Sequence, residues 1–506
     1  MISRCKFKLS FLFLLLFIAI SVASSAQIFT TLVTFEGYPT DGATPERMFL
    51  VQGTDGNLYG TTQYGGTNNG GTVFRITAAG NLTTLYNFCS LPNCADGTYP
   101  IVGLIQATDG NFYGTTGFGG AHNYGTVFRI TTGGKLTTLY SFCSQSGCTD
   151  GEFPAGLVEG IDGNFYGTTG NGGYITNYCY NNSGCGTAFK ITAGGALTIL
   201  HFFCLERGCT DGENPESGLI QATDGNFYGT TFQGGIDGGT VFQITTEGSL
   251  TTLHRFHGAT DGAMPLSGLL QAIDGKLYGT TTAGGTNESS GTVFNITLGG
   301  RLTTLYNFCS LPNCADGSSP NAGLIQATDG NFYGTTIYGG ANQNPACFPY
   351  NDFVGCGTTF KITSEGTLTT LYNFCNQQNC TDGAVAAGGL FQASNGEIYG
   401  TTSGGGDSSF CSPVDGCGTV FSLNMEFGPF VRTLPVAADI GSGLGILGNN
   451  LTGTTSVAIN GTSANFVVKS PTLILARVPS GATTGYITVT TPSGVLTSNA
   501  PFHVIR

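Results

Sequence analysis

The 506-residue sequence contains no tryptophan, four methionines, five histidines and only 9% charged residues. The missing tryptophan excludes repeat types built around that residue. Scarce charge beside 40% hydrophobic residues excludes a disordered chain. Five histidines leave little material for imidazole catalysis. No nucleophile elbow, His-Glu-x-x-His helix, phosphate loop or dinucleotide fingerprint occurs. Beyond the N-terminus no stretch keeps a helical period, and no apolar run is long enough to span a bilayer. Basic residues are also few, 17 against 30 acidic ones, for a formal charge of −13. Such a surface repels nucleic acid and anionic lipid.

What the chain does have is 82 glycines, with many threonines, tyrosines and phenylalanines. This composition suits short strands joined by tight turns, so the expected class is all-β. At the N-terminus, Arg4, Lys6 and Lys8 precede the apolar stretch Leu9 to Ile20, and Ser24-Ser25-Ala26 offers small residues for cleavage. This pattern reads as a secretory signal over residues 1–26, with a mature chain beginning near Gln27. The expected location is secreted or cell-surface, with no transmembrane segment after signal removal.

One stretch, Asp109-Gly-Asn-Phe-Tyr-Gly-Thr-Thr116, organises the rest. Its Tyr-Gly-Thr-Thr portion returns at Tyr59, Tyr113, Tyr166, Tyr228, Tyr278, Tyr333 and Tyr399, and a Gly-Gly pair follows each. A period of this length, holding several short apolar runs, signals a propeller or array. Four strand-like segments recur. They are typified by Gly103 to Thr108, Asn111 to Thr116, Gly125 to Thr131 and Leu136 to Phe142. Asp109-Gly110 and Gly133-Gly134 supply tight hairpin turns. The third and fourth segments each occur seven times but out of phase with the chain. A lone fourth segment, Phe29 to Phe35, opens the repeat, and the last unit stops after its third, near Leu423. The expectation is a seven-bladed β-propeller closed by the N-terminal strand, which removes an open sheet edge.

Sixteen cysteines remain after Cys5, and they fall in local pairs. Cys89/Cys94, Cys143/Cys148, Cys204/Cys209, Cys309/Cys314 and Cys375/Cys380 share one loop, and Cys179/Cys185, Cys347/Cys356 and Cys411/Cys417 lie in another. Equivalent loops carry two cysteines or none, as after Phe35 and Phe256. Eight local disulfides are therefore expected in an exported protein. Zinc is disfavoured because no histidine accompanies the pairs, and the Asp-Gly-x-x-Pro sequences read as turns, not calcium loops. No metal and no cofactor are expected.

Units bearing Asp-Gly-Asn-Phe-Tyr-Gly-Thr-Thr, Gly-Gly and Gly-Thr-Val-Phe resemble the bacterial GloVer repeat of choice-of-anchor tandem-repeat proteins, over residues 29–425. The resemblance implies an exported bacterial protein of ill-defined function. Residues 426–506 resemble an IPT/TIG domain, an immunoglobulin-like sandwich. The matching residues include Gly445-Ile-Leu-Gly448, Ser456 to Gly461, Val478-Pro479 and Gly485 to Val489. The domains then run 1–26, 27–425 and 426–506.

His201 and His254 replace the tyrosine of the fourth segment and read as packed strand residues. Glu159, Glu213 and Glu216 are the carboxylates a glycosidase reading would draw on, but nothing in the sequence selects a pair. The repeats differ mainly in loop length, so a non-enzymatic binding or structural module for glycan or protein is expected. A secreted polysaccharide hydrolase is the alternative. Loops after the second and fourth segments carry every length change and fall at one end of a unit. Their aromatics, Tyr174, Tyr178, Tyr180, Phe348, Tyr350 and Phe353, are the expected ligand-binding residues.

Overall fold

A computed structural model describes residues 28–179, 183–235, 238–287, 290–342, 355–407 and 416–505. The expected signal segment, Tyr180, Phe348, Tyr350, Phe353, Cys347 and Cys411 lie outside the described residues. The described residues are all-β, with only short 3-10 turns such as Pro92–Cys94 among them.

Among the described residues, the repeat forms seven four-stranded antiparallel sheets. A representative sheet holds Ile105–Gln106, Phe112–Thr116, Thr126–Ile130 and Leu136–Ser141 in sequence order. Its second and third strands are buried almost throughout, which is why both read as continuous apolar and threonine runs. The glycine inside the second strand has a packing cause. A Cβ on Gly114 would lie 2.7 Å from Cζ of Phe128 and 2.9 Å from Cδ2 of Leu104. The glycine opening the third strand has a backbone cause: Gly125 sits at φ 96°, with Pro154 Cδ 2.6 Å from where its Cβ would be.

One sheet is made from both ends of the repeat. Ile28–Thr34 pairs antiparallel with Thr419–Asn424, so that Phe29 faces Leu423 and Thr34 faces Thr419. Ile398–Thr402 and Phe391–Gln392 complete it.

Three further sets of contacts join each sheet to the next, and the last to the first. The repeat tyrosine packs into the neighbouring sheet: Tyr59 clusters with Leu104, Phe112 and Phe128, and Tyr399 with Leu50, Leu58 and Phe74. The first threonine of each Thr-Thr donates to a carbonyl of the following unit, from Thr61 to Val102 (3.2 Å) around to Thr401 and Pro45 (3.2 Å). A belt of first-strand side chains repeats the pattern. Thr54 N–H donates to Gln106 Oε1 (3.0 Å), Ile161 N–H to Gln221 (2.9 Å), and Ser394 N–H to Gln52 (3.0 Å), closing the circuit. Glu159 takes the glutamine's place once, accepting from Thr108 N–H at 2.9 Å and from its hydroxyl at 2.6 Å.

Residues 431–504 have a core of their own, including Ile446, Leu451, Val457, Ile474, Ile487 and Phe502. Two four-stranded sheets enclose it. One contains Gly443–Leu447 and Leu473–Arg477, and the other Ser456–Ile459 and Ile487–Thr491. This unit docks on the Asp-Gly turn end of the repeat. Thr472 Oγ1 donates to Thr54 O (2.8 Å), Asn449 Nδ2 to Ser394 Oγ (2.8 Å) and Arg432 Nη1 to Gln392 O (2.9 Å). The Arg432 guanidinium also lies 4.5 Å from the Phe391 ring centre, a cation–π contact.

Candidate functional site

Each Asp-Gly-x-x-Pro segment meets the end of its second strand. The bridges Thr98 with Phe118 and Ser318 with Tyr338 are examples, and Ala43 pairs Tyr64 in the same way. The two variable loop types therefore share one end of each unit, opposite the end covered by residues 431–504.

On this open end five aromatic rings form a track across three consecutive units. Tyr64 and Tyr99 have ring centres 5.0 Å apart, Tyr99 and Phe118 5.9 Å, Phe118 and Phe153 4.9 Å, and Phe153 and Tyr124 6.1 Å. Tyr64 is 39% exposed and Phe118 40%. Tyr99 and Phe153 occupy equivalent left-handed positions, φ 56° and 55°, and their rings stand beside the exposed pair.

The first strands line the centre of the circuit. At the position before the first-strand leucine stand Gly103, Gly156, Gly218, Gly268, Gly323 and Gly389, and in the remaining unit Phe49. A Cβ on Gly218 would lie 3.4 Å from Gly156 Cα, and one on Gly323 3.0 Å from Gly268 O and 3.1 Å from Phe49 Cζ. The Phe49 ring thus lies over two of these glycines, Gly323 and Gly389, and the Phe49 backbone lies against Gly103. Towards the open end from this ring, Arg47 Nη1 meets Glu216 Oε2 at 3.0 Å. The pair joins two units that are not neighbours in the circuit. Both side chains are about one-third exposed, at 34% and 35%. The Asn321 side chain is buried beside the same first strands, and its Oδ1 has no partner. Burial, and then Glu46, raises the Tyr338 hydroxyl above its ordinary range.

The loop aromatics expected from the sequence are divided. Tyr174 is 52% exposed, with its ring 4.5 Å from Phe202 of its own unit, and Tyr178 is 47% exposed. The candidate carboxylates are engaged separately: Glu159 in the belt, Glu213 beside Cys185 Sγ (3.5 Å), and Glu216 on Arg47. Disulfides join Cys89–Cys94, Cys143–Cys148, Cys179–Cys185, Cys204–Cys209, Cys309–Cys314 and Cys375–Cys380. Cys356 and Cys417 are disulfide-bonded as well. The acidic turn residues serve the fold. Asp96 accepts from Ser90 N–H (3.0 Å), Leu91 N–H (3.1 Å) and Tyr86 O–H (2.8 Å). His201 and His254 replace that tyrosine, and each Nε2 meets the equivalent aspartate, Asp211 at 2.9 Å and Asp261 at 2.8 Å.

These features define an all-β tandem-repeat protein with a structured end and an open end. The Gloeobacter/Verrucomicrobia repeat matches residues 18–180 and 173–353, and the chain belongs to that family. No curated protein matches the sequence. Among solved structures the chain is similar to the PQQ-bound aldose sugar dehydrogenase of Streptomyces coelicolor, at 14% identity and TM-score 0.36, covering 62% of this chain and 95% of that one. It is similar also to a gluconolactonase of Xanthomonas campestris, at 12% identity and TM-score 0.35, covering 78% and 89%. A Bacteroides thetaiotaomicron protein of unknown function gives 14% identity and TM-score 0.38, covering 61% and 72%. At these scores the likenesses carry no inference about chemistry.

Proposed function

We propose that the chain is an exported binding module. In this reading residues 27–425 form a seven-bladed propeller closed by the N-terminal strand, residues 426–506 form an IPT/TIG-like domain, and the open end binds an extracellular glycan. The observation that carries the reading is the track from Tyr64 to Tyr124, on the one end that the C-terminal unit leaves uncovered. In this reading the two exposed rings, Tyr64 and Phe118, each edge to face with its neighbour, pack on the apolar faces of sugars, and Arg47 and Glu216 supply polar contacts at the centre. Tyr174 and Tyr178 extend the same end.

The test is a binding screen of the mature protein against cell-wall polysaccharides, beside a Tyr64→Ala/Phe118→Ala variant. The melting temperature of the variant is measured beside wild type, so that lost binding is read only from folded protein. Wild type is expected to bind at least one polysaccharide and the variant to lose about tenfold or more in affinity, as removal of stacked rings implies. Equal binding by both would move the site elsewhere. Capture of a protein instead of a glycan would change the ligand class, and release of reducing sugar would replace the reading with a hydrolase.

A further inference from the structure

In five of the repeat units the phenylalanine closing the fourth strand is followed by the first cysteine of a disulfide, as in Phe88-Cys89 and Phe374-Cys375. The loop after Phe256 departs from this pattern. His257 stands where the cysteine stands in its siblings, and the loop between it and Asp261 contains no cysteine. In the same unit the fourth-strand tyrosine is replaced by His254. The two imidazoles and the turn aspartate converge. His254 Nε2 lies 2.8 Å and His257 Nδ1 3.3 Å from the same Asp261 oxygen, and all three donor atoms lie within 4.8 Å of one another. His254 and Asp261 are largely buried, at 20% and 13% side-chain exposure, whereas His257 is 60% exposed at the rim.

We propose that His254, His257 and Asp261 bind a divalent first-row transition ion, zinc above all, as a clip that takes the place of the missing disulfide. Two imidazoles and one carboxylate form the donor set of three-residue zinc sites, which leave a fourth position to water. In a tetrahedral site, metal–donor bonds of about 2.0–2.1 Å place donor atoms about 3.3 Å apart. The His257–Asp261 separation is already 3.3 Å, and the His254–Asp261 hydrogen bond has only to open slightly as the ion replaces the shared proton. Asp261 Oδ1 accepts from His257 N–H (2.9 Å), which holds the loop and the carboxylate in register. The molecule contains its own control. His201 and Asp211 make the same histidine–aspartate contact at 2.9 Å, but Cys204 and Cys209 are disulfide-bonded there and no second histidine is present. A metal clip closes the loop by the same logic as a disulfide, joining residues a few positions apart in sequence.

The experiment is calorimetric titration of the metal-stripped mature protein with zinc chloride, under non-reducing conditions, with His257→Ala, His254→Tyr and His201→Ala variants. His254→Tyr restores the residue found in the sibling units, so it folds. Wild type and His201→Ala are expected to bind one equivalent of zinc and to melt at higher temperature with zinc than without. His257→Ala and His254→Tyr are expected to lose both effects. Absence of saturable binding in wild type, or binding unchanged in either of those two variants, overturns the assignment.

Discussion

At the residue scale, the repeat motif is a set of side chains each occupied in a fixed task. The tyrosine of every Asp-Gly-x-x/Tyr unit reaches back to its turn, as Tyr113 O–H does to Asp109 Oδ2 at 2.9 Å. Burial, reinforced by Asp109, pushes the Tyr113 hydroxyl up to about 12, and burial with Asp96 does the same for Tyr86. The folded state therefore keeps protons that the unfolded chain releases near pH 10. A group raised in this way contributes its full stability below pH 10 and loses it as pH rises through about 12. Denaturant midpoints should hold constant up to pH 10 and then fall, and the fall should be smaller in a Tyr113→Phe variant. A fall of equal size in that variant would contradict this. The strand glycine offers a second test. In Gly114→Ala the new methyl meets the Phe128 ring and Leu104, and overpacking of this kind costs about 1–3 kcal/mol in urea unfolding.

At the scale of elements, the sequence showed much and hid specific things. The second, third and fourth strands lie where the alternation and the Gly-Thr-Val-Phe runs placed them. The lone opening segment, expected over Phe29 to Phe35, pairs over Ile28–Thr34. The first strand was expected from Gly103 to Thr108, but only Ile105–Gln106 is paired. It has a neighbour on one side alone, and beyond Gln106 the Thr108 N–H turns to Glu159 of the next unit. The aromatic track and the Phe49 packing were illegible for one reason. Periodicity shows which positions are equivalent, not which of them face each other. Tyr99 and Phe153 sit in segments that read as turns, and Phe49 looks like one more apolar residue until its ring is seen against Gly323 and Gly389. The closing strand gives the prediction at this scale. Removal of residues 27–36 uncovers the edge of Thr419–Asn424, and an open edge templates association. The truncated protein should sediment as aggregates and melt well below wild type. A monomer with unchanged melting would show the strand to be dispensable.

For the whole molecule, the question is how rigidly residues 431–504 are held. Arg432 is the central fastening. Burial lowers its guanidinium to about 10, while its Nη1 bonds Gln392 O and its face covers Phe391. Clefts flank this contact, one of about 660 Å³ lined by Ile161, Val467 and Leu475, and one of about 410 Å³ lined by Ile273 and Tyr486. Arg432→Met keeps the bulk and removes the hydrogen bond and the cation–π contact. The two cores should then unfold as separate calorimetric transitions, and solution scattering should show a larger radius of gyration. A single transition in the variant would assign the docking to Asn449 and Thr472 instead.

The pairing of Phe29 with Leu423 also sets an order of events for a chain made from its N-terminus. Among the described strands of the repeat, Ile28–Thr34 is made before the others and finds its partner last, because nearly all of the repeat must exist before residues 419–424 do. Until then Ile28–Thr34 waits as an unpaired apolar segment, and the sheets between it and its partner assemble one upon another. Contacts of such long sequence separation form slowly. Closure of this sheet thus waits on residues 419–424, and a ribosome that stops before residue 419 leaves a product that cannot complete it.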